Sequence, residues 1–157
     1  MKDLSRYSLS NFKEKKEDGH VFVKGFVCKD DKVIATFEGG GGACISFSYT
    51  SDEEKDLFLT AVSDAGISAK HIGLDEMAMD YLVDIHDRFK QFKRSFKKEV
   101  CFVKEGAKPS EYSSIPLAVP TDKIIAHVNK NYPNAVILNS LSDLELRSLV
   151  LDWSLAA

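Results

Sequence analysis

The sequence predicts an α+β fold, and three observations carry that reading. Three β-rich segments follow one another at 20–28, 33–38 and 43–50. Two Ser-x-x-Glu signatures, Ser51 to Glu54 and Ser142 to Glu145, announce helix starts. An apolar stripe at helical spacing runs from Leu74 to Phe96. The expected architecture is a three-stranded antiparallel meander, then a capped helix, one long amphipathic helix and a short β-α-β-α tail.

Taken in order, residues 1–19 are polar and mixed in charge, and read as an N-terminal arm or short surface helix. Residues 20–157 read as a single α+β domain. HVFVKGFVC, residues 20–28, is apolar on both alternating sets, which predicts a central strand covered on both faces. Lys29-Asp30-Asp31-Lys32 is turn chemistry, and VIATFE forms the next strand of a hairpin. After Gly39 to Gly42, the segment 43–50 alternates Ala43, Ile45, Phe47 and Tyr49 with Cys44, Ser46, Ser48 and Thr50. That is a half-buried strand with one wet face.

Ser51 then caps a helix that runs to about Asp64 and stops near Gly66, with Leu57, Phe58, Ala61 and Val62 inward. A link through His71 and Gly73 leads to the long helix, residues 74–99. Its stripe is Leu74, Ala78, Tyr81, Leu82, Ile85, Phe89, Phe92 and Phe96, so the three phenylalanines are expected in the core. At ~1.5 Å per residue this helix is on the order of 39 Å long, so its basic end projects, packs on a second copy, or breaks near Arg94-Ser95. Residues 100–103 form a strand. Residues 104–120 form a Pro- and Ser-bearing loop and a candidate subdomain hinge. Thr121-Asp122 caps a helix to about Asn131, NAVILN (134–139) is a short strand, and Ser142 opens the last helix.

The bulk numbers narrow the function classes. The 157 residues, 44% hydrophobic and 29% charged with a net charge of −3, describe an ordinary globular chain that is neither a nucleic-acid mimic nor generally basic. Three cysteines without CxxC spacing suggest reduced thiols rather than a disulfide framework or zinc site. The N-terminus lacks the apolar core of a signal peptide, and no apolar run reaches the ~18 residues of a membrane span. The expectation is a cytoplasmic protein with no cofactor and no metal.

Candidate chemistry is sparse. The four-glycine run joins strand to strand with no Gly-Lys-Ser/Thr, so it reads as a mobile hairpin loop rather than a phosphate loop. The four histidines, His20, His71, His86 and His127, are not spaced for zinc, and His86 falls toward the helix surface. Cys44, Ser46 and Ser48 share a wet face without a nucleophile motif. Catalytic residues are not identified.

Charge patterning is the remaining signal. Residues 51–87 carry ten acids and two bases, a local charge of −8. Residues 88–104 carry seven bases and one acid, a local charge of +6. Acids leading and bases trailing suit the helix macrodipole, and a surface so polarised can also hold a charged partner. The expected function is a small protein-binding protein: an inhibitor, an immunity or anti-defence factor, or an adaptor. Its contact residues are taken as Arg88, Lys90, Lys93, Arg94, Lys97 and Lys98, with Asp52 and Glu53 on the acidic helix. The alternatives are nucleic-acid binding through the same cations, and an enzyme whose site converges only in space. A protein partner is expected, no membrane, and a homodimer through the long helix is an open option.

Overall fold

The computed structural model describes residues 3–69 and 72–156. The protein is α+β, as the sequence predicts, and it divides into two compact units, one ending at His86 and one beginning at Asp87. The division falls inside a helix and not in the 104–120 segment. Among the described residues, no helix is long and apolar enough to cross a membrane.

The first unit is built on an antiparallel sheet of four strands in the order β1-β2-β3-β4: β1 Tyr7–Glu17, β2 His20–Lys29, β3 Lys32–Gly40 and β4 Ala43–Tyr49. The expected meander therefore gains a strand, and the expected arm 1–19 is largely that strand. Two physical causes order it. Asp18 and Gly19 both take positive φ, 49° and 80°, and make a two-residue hairpin turn whose twist matches the flanking strands. Leu4, Tyr7 and Leu9 are buried and anchor the first half, while residues 13–17 stay exposed. The Arg6 guanidinium also pairs with Asp30. Lysines along an exposed edge strand discourage pairing with another chain.

The other two hairpins repeat the device, with Asp30-Asp31 at φ 47° and 66° and Gly41-Gly42 at 69° and 90°. The glycine run is thus not a long loop: Gly39 and Gly40 belong to β3, and only two residues turn. A Cβ on Gly40 would lie 2.4 Å from the Val21 carbonyl oxygen, so the close approach of β2 demands glycine there.

One face of the sheet is the core face. Leu9, Val27, Ala35 and Tyr49 form one row across all four strands. The Tyr7 and Tyr49 rings meet Phe58 at 5.0 and 6.4 Å. Phe58 lies on helix α1, Asp52–Asp64, with Ala61 and Val62 also buried. Leu57, expected inward, is exposed. Ser51 caps α1 by accepting the Glu54 amide at 3.1 Å. The expected reach-back by Glu54 does not form, and its Oε2 is buried without a partner among the described residues.

Burial of β2 differs from the expectation. The strand is central in the sheet, yet only Val27 and Cys28 are buried; Val21 and Phe22 are 42% and 40% exposed. Sheet order gave β2 two neighbours, but Val21 and Phe22 point to opposite faces, and among the described residues no element covers either face at the start of the strand.

Helix α2, Leu74–Ser95, runs through the unit boundary and stops at the predicted weak point rather than at 99. In the first unit it buries Ala78, Met79, Leu82 and Ile85. Its acidic start holds the sheet edge: Asp75 Oδ2 accepts the Tyr49 hydroxyl at 3.0 Å, and Glu76 Oε1 accepts the Ile45 amide at 3.2 Å. His86, expected at the surface, is half-buried with its ring edge-on to Phe12 at 5.4 Å.

The second unit holds the rest of α2, then β5 Glu99–Val103, β6 Ser113–Pro116, α3 Thr121–Asn131, β7 Val136–Ile137 and α4 Asp143–Leu155. The strands pair antiparallel in the order β6-β5-β7. Segment 104–120 therefore contains a strand: apolar residues of its Ser-Ile-Pro-Leu stretch pack on the core of Val100, Phe102, Ile124 and Val128. Pro120, not Thr121, stands at the N-cap of α3, without a side-chain bond. Ser142 and Glu145 complete a reciprocal capping box on α4. Phe92 is buried among Phe96, Tyr112 and Trp153, with ring centroids 5.8, 5.1 and 6.4 Å away. Phe89 and Phe96 are only half-buried, so the predicted core stripe narrows to Phe92 at this end.

Candidate functional site

The predicted cationic residues separate into two sets. Arg88 lies over the Trp153 ring at 4.2 Å, and Lys93 pairs with Asp143 at 2.6 Å. Lys93 and Arg147 both lie over the Phe89 ring, at 5.3 and 5.1 Å, which explains why that ring sits half in water. Arg88 and Lys93 thus serve the unit's own packing. Lys90, Arg94, Lys97 and Lys98 are exposed, and among the described residues no ion pair holds them. Lys90 and Arg94 are four apart on one helix face, and a like-charge pair at that spacing is destabilising by about 0.2–0.5 kcal/mol. Asp52 and Glu53 are exposed in the first turn of α1, in the other unit, where the helix dipole favours them.

A second site lies on the outward face of the four-stranded sheet. Directly paired residues share a face. The register places Lys13, Lys24, Glu38 and Ser46 in one row across all four strands. The next row toward the Gly41-Gly42 turn holds Lys15, Phe22 and Gly40. The row on the other side holds Ser10, Phe26, Thr36 and Ser48. On this face lies an open groove of two adjoining cavities, about 480 Å³ and about 420 Å³, that share Lys13, Lys24 and Glu38; Lys15 and Phe22 line the first, Phe26 and Thr36 the second. Cys44 and Ser46 form the wall from β4.

Electrostatics and shape are both local here. Lys13 and Lys24 are cross-strand neighbours of like sign, an arrangement that weakens a sheet by a few tenths of a kcal/mol up to ~1. Glu38 offsets one of them from the far side of Lys24, and Glu17 pairs with Lys15 at 2.8 Å. Such an exposed pair contributes about 0–1 kcal/mol. Phe22 is held at the groove end by the glycine turn, since a Cβ on Gly41 would lie 2.4 Å from two atoms of its ring.

The strongly shifted groups elsewhere are neutral at physiological pH. Burial pushes the Cys101 thiol up to about 12, helped by the Glu99 carboxylate. Burial pushes Tyr7 up to about 12, with the charge of Glu54 adding to it. Burial raises Tyr49 as well, reinforced by Asp75. Cys44 is exposed while Cys28 and Cys101 are buried. Among the described residues, no group of three His, Cys, Asp or Glu side chains is placed to hold a metal ion; His71 lies outside them.

Of the predicted site residues, the structure gathers Lys90, Arg94, Lys97 and Lys98 at one helix end and the turn that follows. It brings Gly39, Cys44 and Ser46 together with Lys13, Lys15 and Phe22 in the groove. The lysines of β1 were missed because residues 1–19 read as an arm. The signal that finds them is Asp18-Gly19: folding the chain back at that turn sets Lys15 opposite Phe22. Comparison of the chain with protein-family models, with curated proteins and with solved structures finds no match.

Proposed function

We propose that this chain acts by binding another protein, through the cationic end of α2 and the turn after it, as an inhibitor, an immunity or anti-defence factor, or an adaptor in the cytoplasm. The observation that supports the reading is the set Lys90, Arg94, Lys97 and Lys98. These four side chains are exposed, two of them four apart on the helix and two adjacent in the turn that follows, and they are unneutralised within the described chain. An acidic partner relieves their mutual repulsion, which gives it both attraction and register. The free thiols suit a reducing compartment. The groups pushed far from their ordinary pKa values are held neutral, which supports binding over proton-transfer chemistry.

The test is capture from the native cell with the full chain, followed by reconstitution with the purified captured protein. A complex of fixed stoichiometry is expected, with affinity falling at least tenfold in the double variant Lys90→Glu, Arg94→Glu. Asp52→Lys with Glu53→Lys asks the same of the acidic helix. A partner indifferent to both charge reversals would overturn the reading. Salt-dependent binding of labelled RNA lost in the first variant would replace it with a nucleic-acid function at the same surface.

A further inference from the structure

We infer that the outward face of the four-stranded sheet is a binding site for single-stranded nucleic acid, separate from the cationic helix end. Three features of the groove converge on that ligand. The first is its charge. Lys13, Lys15 and Lys24 line it against one acid, Glu38, a net charge of +2 on a chain whose overall charge is −3. The chain as a whole repels a polyanion, so acceptance on this face depends on that local excess. Lys15 is partly satisfied by Glu17. Lys13 and Lys24 stand side by side on adjacent strands with no ion-pair partner among the described residues, two ammonium groups that successive phosphates of one strand neutralise.

The second feature is aromatic. Phe22, Lys24 and Phe26 alternate along the outward face of β2, so ring, cation and ring follow one another at two-residue steps. Phe22 is exposed and seated on Gly41; Phe26 is half-buried. A single strand is recognised by this combination: cations track the phosphates while bases stack on exposed ring faces, with little regard to sequence. An acidic peptide accounts for the lysines and leaves the exposed phenylalanine unexplained. A duplex, whose bases are already stacked, leaves it unexplained too.

The third feature is shape. The two cavities share Lys13, Lys24 and Glu38 and follow one another along the strands from Phe22 to Phe26, four residues or about 13 Å at ~3.3 Å per residue, an open surface with room for more than one nucleotide rather than a closed pocket for a single small molecule. Ser46 and Thr36 supply hydroxyls along its floor, and Glu38 supplies an acceptor for a base amino group. The glycine run acquires a role in this setting, because a Cβ at 41 would push the Phe22 ring from its present place.

The test uses the full chain and a fluorescein-labelled twelve-residue oligothymidylate, read by anisotropy. Saturable binding is expected at low salt. The slope of log K against log salt should be about −2, as three phosphate contacts on a single strand give. The double variant Lys13→Glu, Lys24→Glu should bind at least tenfold more weakly. Phe22→Leu, which keeps an apolar side chain at an exposed position but removes the stacking face, should bind roughly tenfold more weakly. Lys90→Glu with Arg94→Glu should leave binding unchanged, which separates this site from the protein-binding surface. A second readout needs no substitution: the oligonucleotide should shield the exposed Cys44 thiol in the groove wall from Ellman's reagent. Failure to bind at low salt, unchanged affinity in the groove variants, or full Cys44 reactivity at saturating oligonucleotide each overturns the inference. Tighter binding of polyglutamate than of the oligonucleotide, indifferent to Phe22→Leu, overturns it in favour of an acidic protein.

Discussion

Tyr49 shows how a single side chain can tie two elements together. Its ring sits on the core face of the sheet beside Phe47 and Phe58, and its hydroxyl donates to Asp75 Oδ2 at 3.0 Å. The carboxylate also accepts the Glu76 amide through Oδ1, so Asp75 fixes both the start of α2 and the edge strand β4. Tyr49→Phe keeps the ring and removes the donor, leaving a half-buried carboxylate with one bond fewer. Hydrogen bonds to charged groups are worth more than neutral ones, so the variant should lose about 1.5 kcal/mol in urea denaturation, with the m-value unchanged. A loss below about 0.5 kcal/mol would show that water replaces the tyrosine hydroxyl at Asp75 without penalty.

Among the elements, β5 is held by a side chain as much as by strands. Its partner β7 is only two residues long, pairing Val136 with Val103 and Ile137 with Phe102. Beyond it Asn139 continues the ladder with its amide: Oδ1 accepts the Cys101 N–H at 2.7 Å, and Nδ2 donates to the Glu99 carbonyl at 3.0 Å. Asn139→Ala leaves two partly buried backbone groups unpaired, and should lower stability by about 2–3 kcal/mol while amide exchange at Cys101 accelerates. The expected strand 134–139 missed this, because a run such as NAVILN reads as continuous strand while the bond is a side-chain substitute for it. Elements announced by local chemistry were legible: the Ser51 cap and the Ser142–Glu145 box, whereas the helix expected to reach 99 ends at Ser95, one of three options its length left open. Elements announced only by pairing were not. β1 has polar residues on both faces of its second half, and β6 lies in a Pro- and Ser-bearing stretch. Each is a strand because a neighbour offers its backbone a ladder. The groove shared that fate, since two of its three lysines stand on β1. Periodicity placed Phe89, Phe92 and Phe96 on one stripe, but it could not show that Lys93 and Arg147 would cover the first ring in place of the core.

At the scale of the whole molecule, the shifted groups set a pH limit. Tyr7 and Tyr49 belong to the first unit and Cys101 to the second, and all three are raised above their ordinary values of 10.0, 10.0 and 9.0. Each is an acid whose neutral form the fold prefers. In the unfolded chain the thiol ionises from about pH 9 and the phenols from about pH 10, while the folded chain keeps the Cys101 and Tyr7 protons to about 12 and holds the Tyr49 proton above its ordinary range as well. Above pH 9 the unfolded state therefore binds fewer protons, and the stability that is complete below pH 9 drains away as pH rises toward 12. On the acid side Glu145 acts in the opposite sense. Hydrogen bonds from Ser142 hold its carboxyl below 4.5, so its stabilisation is present above that pH and is lost as pH falls through it. The expected profile is a melting temperature that is flat from pH 6 to 8.5 and declines beyond 9 with alkali. Cys101→Ala should delay the onset of that decline, because it removes the group that titrates first. Tyr49→Phe should start from a lower plateau and fall less steeply above pH 10. Thermal melts followed by circular dichroism at half-unit steps decide it: an alkaline limb of unaltered steepness in both variants would assign the loss to lysine deprotonation and the rupture of surface ion pairs instead.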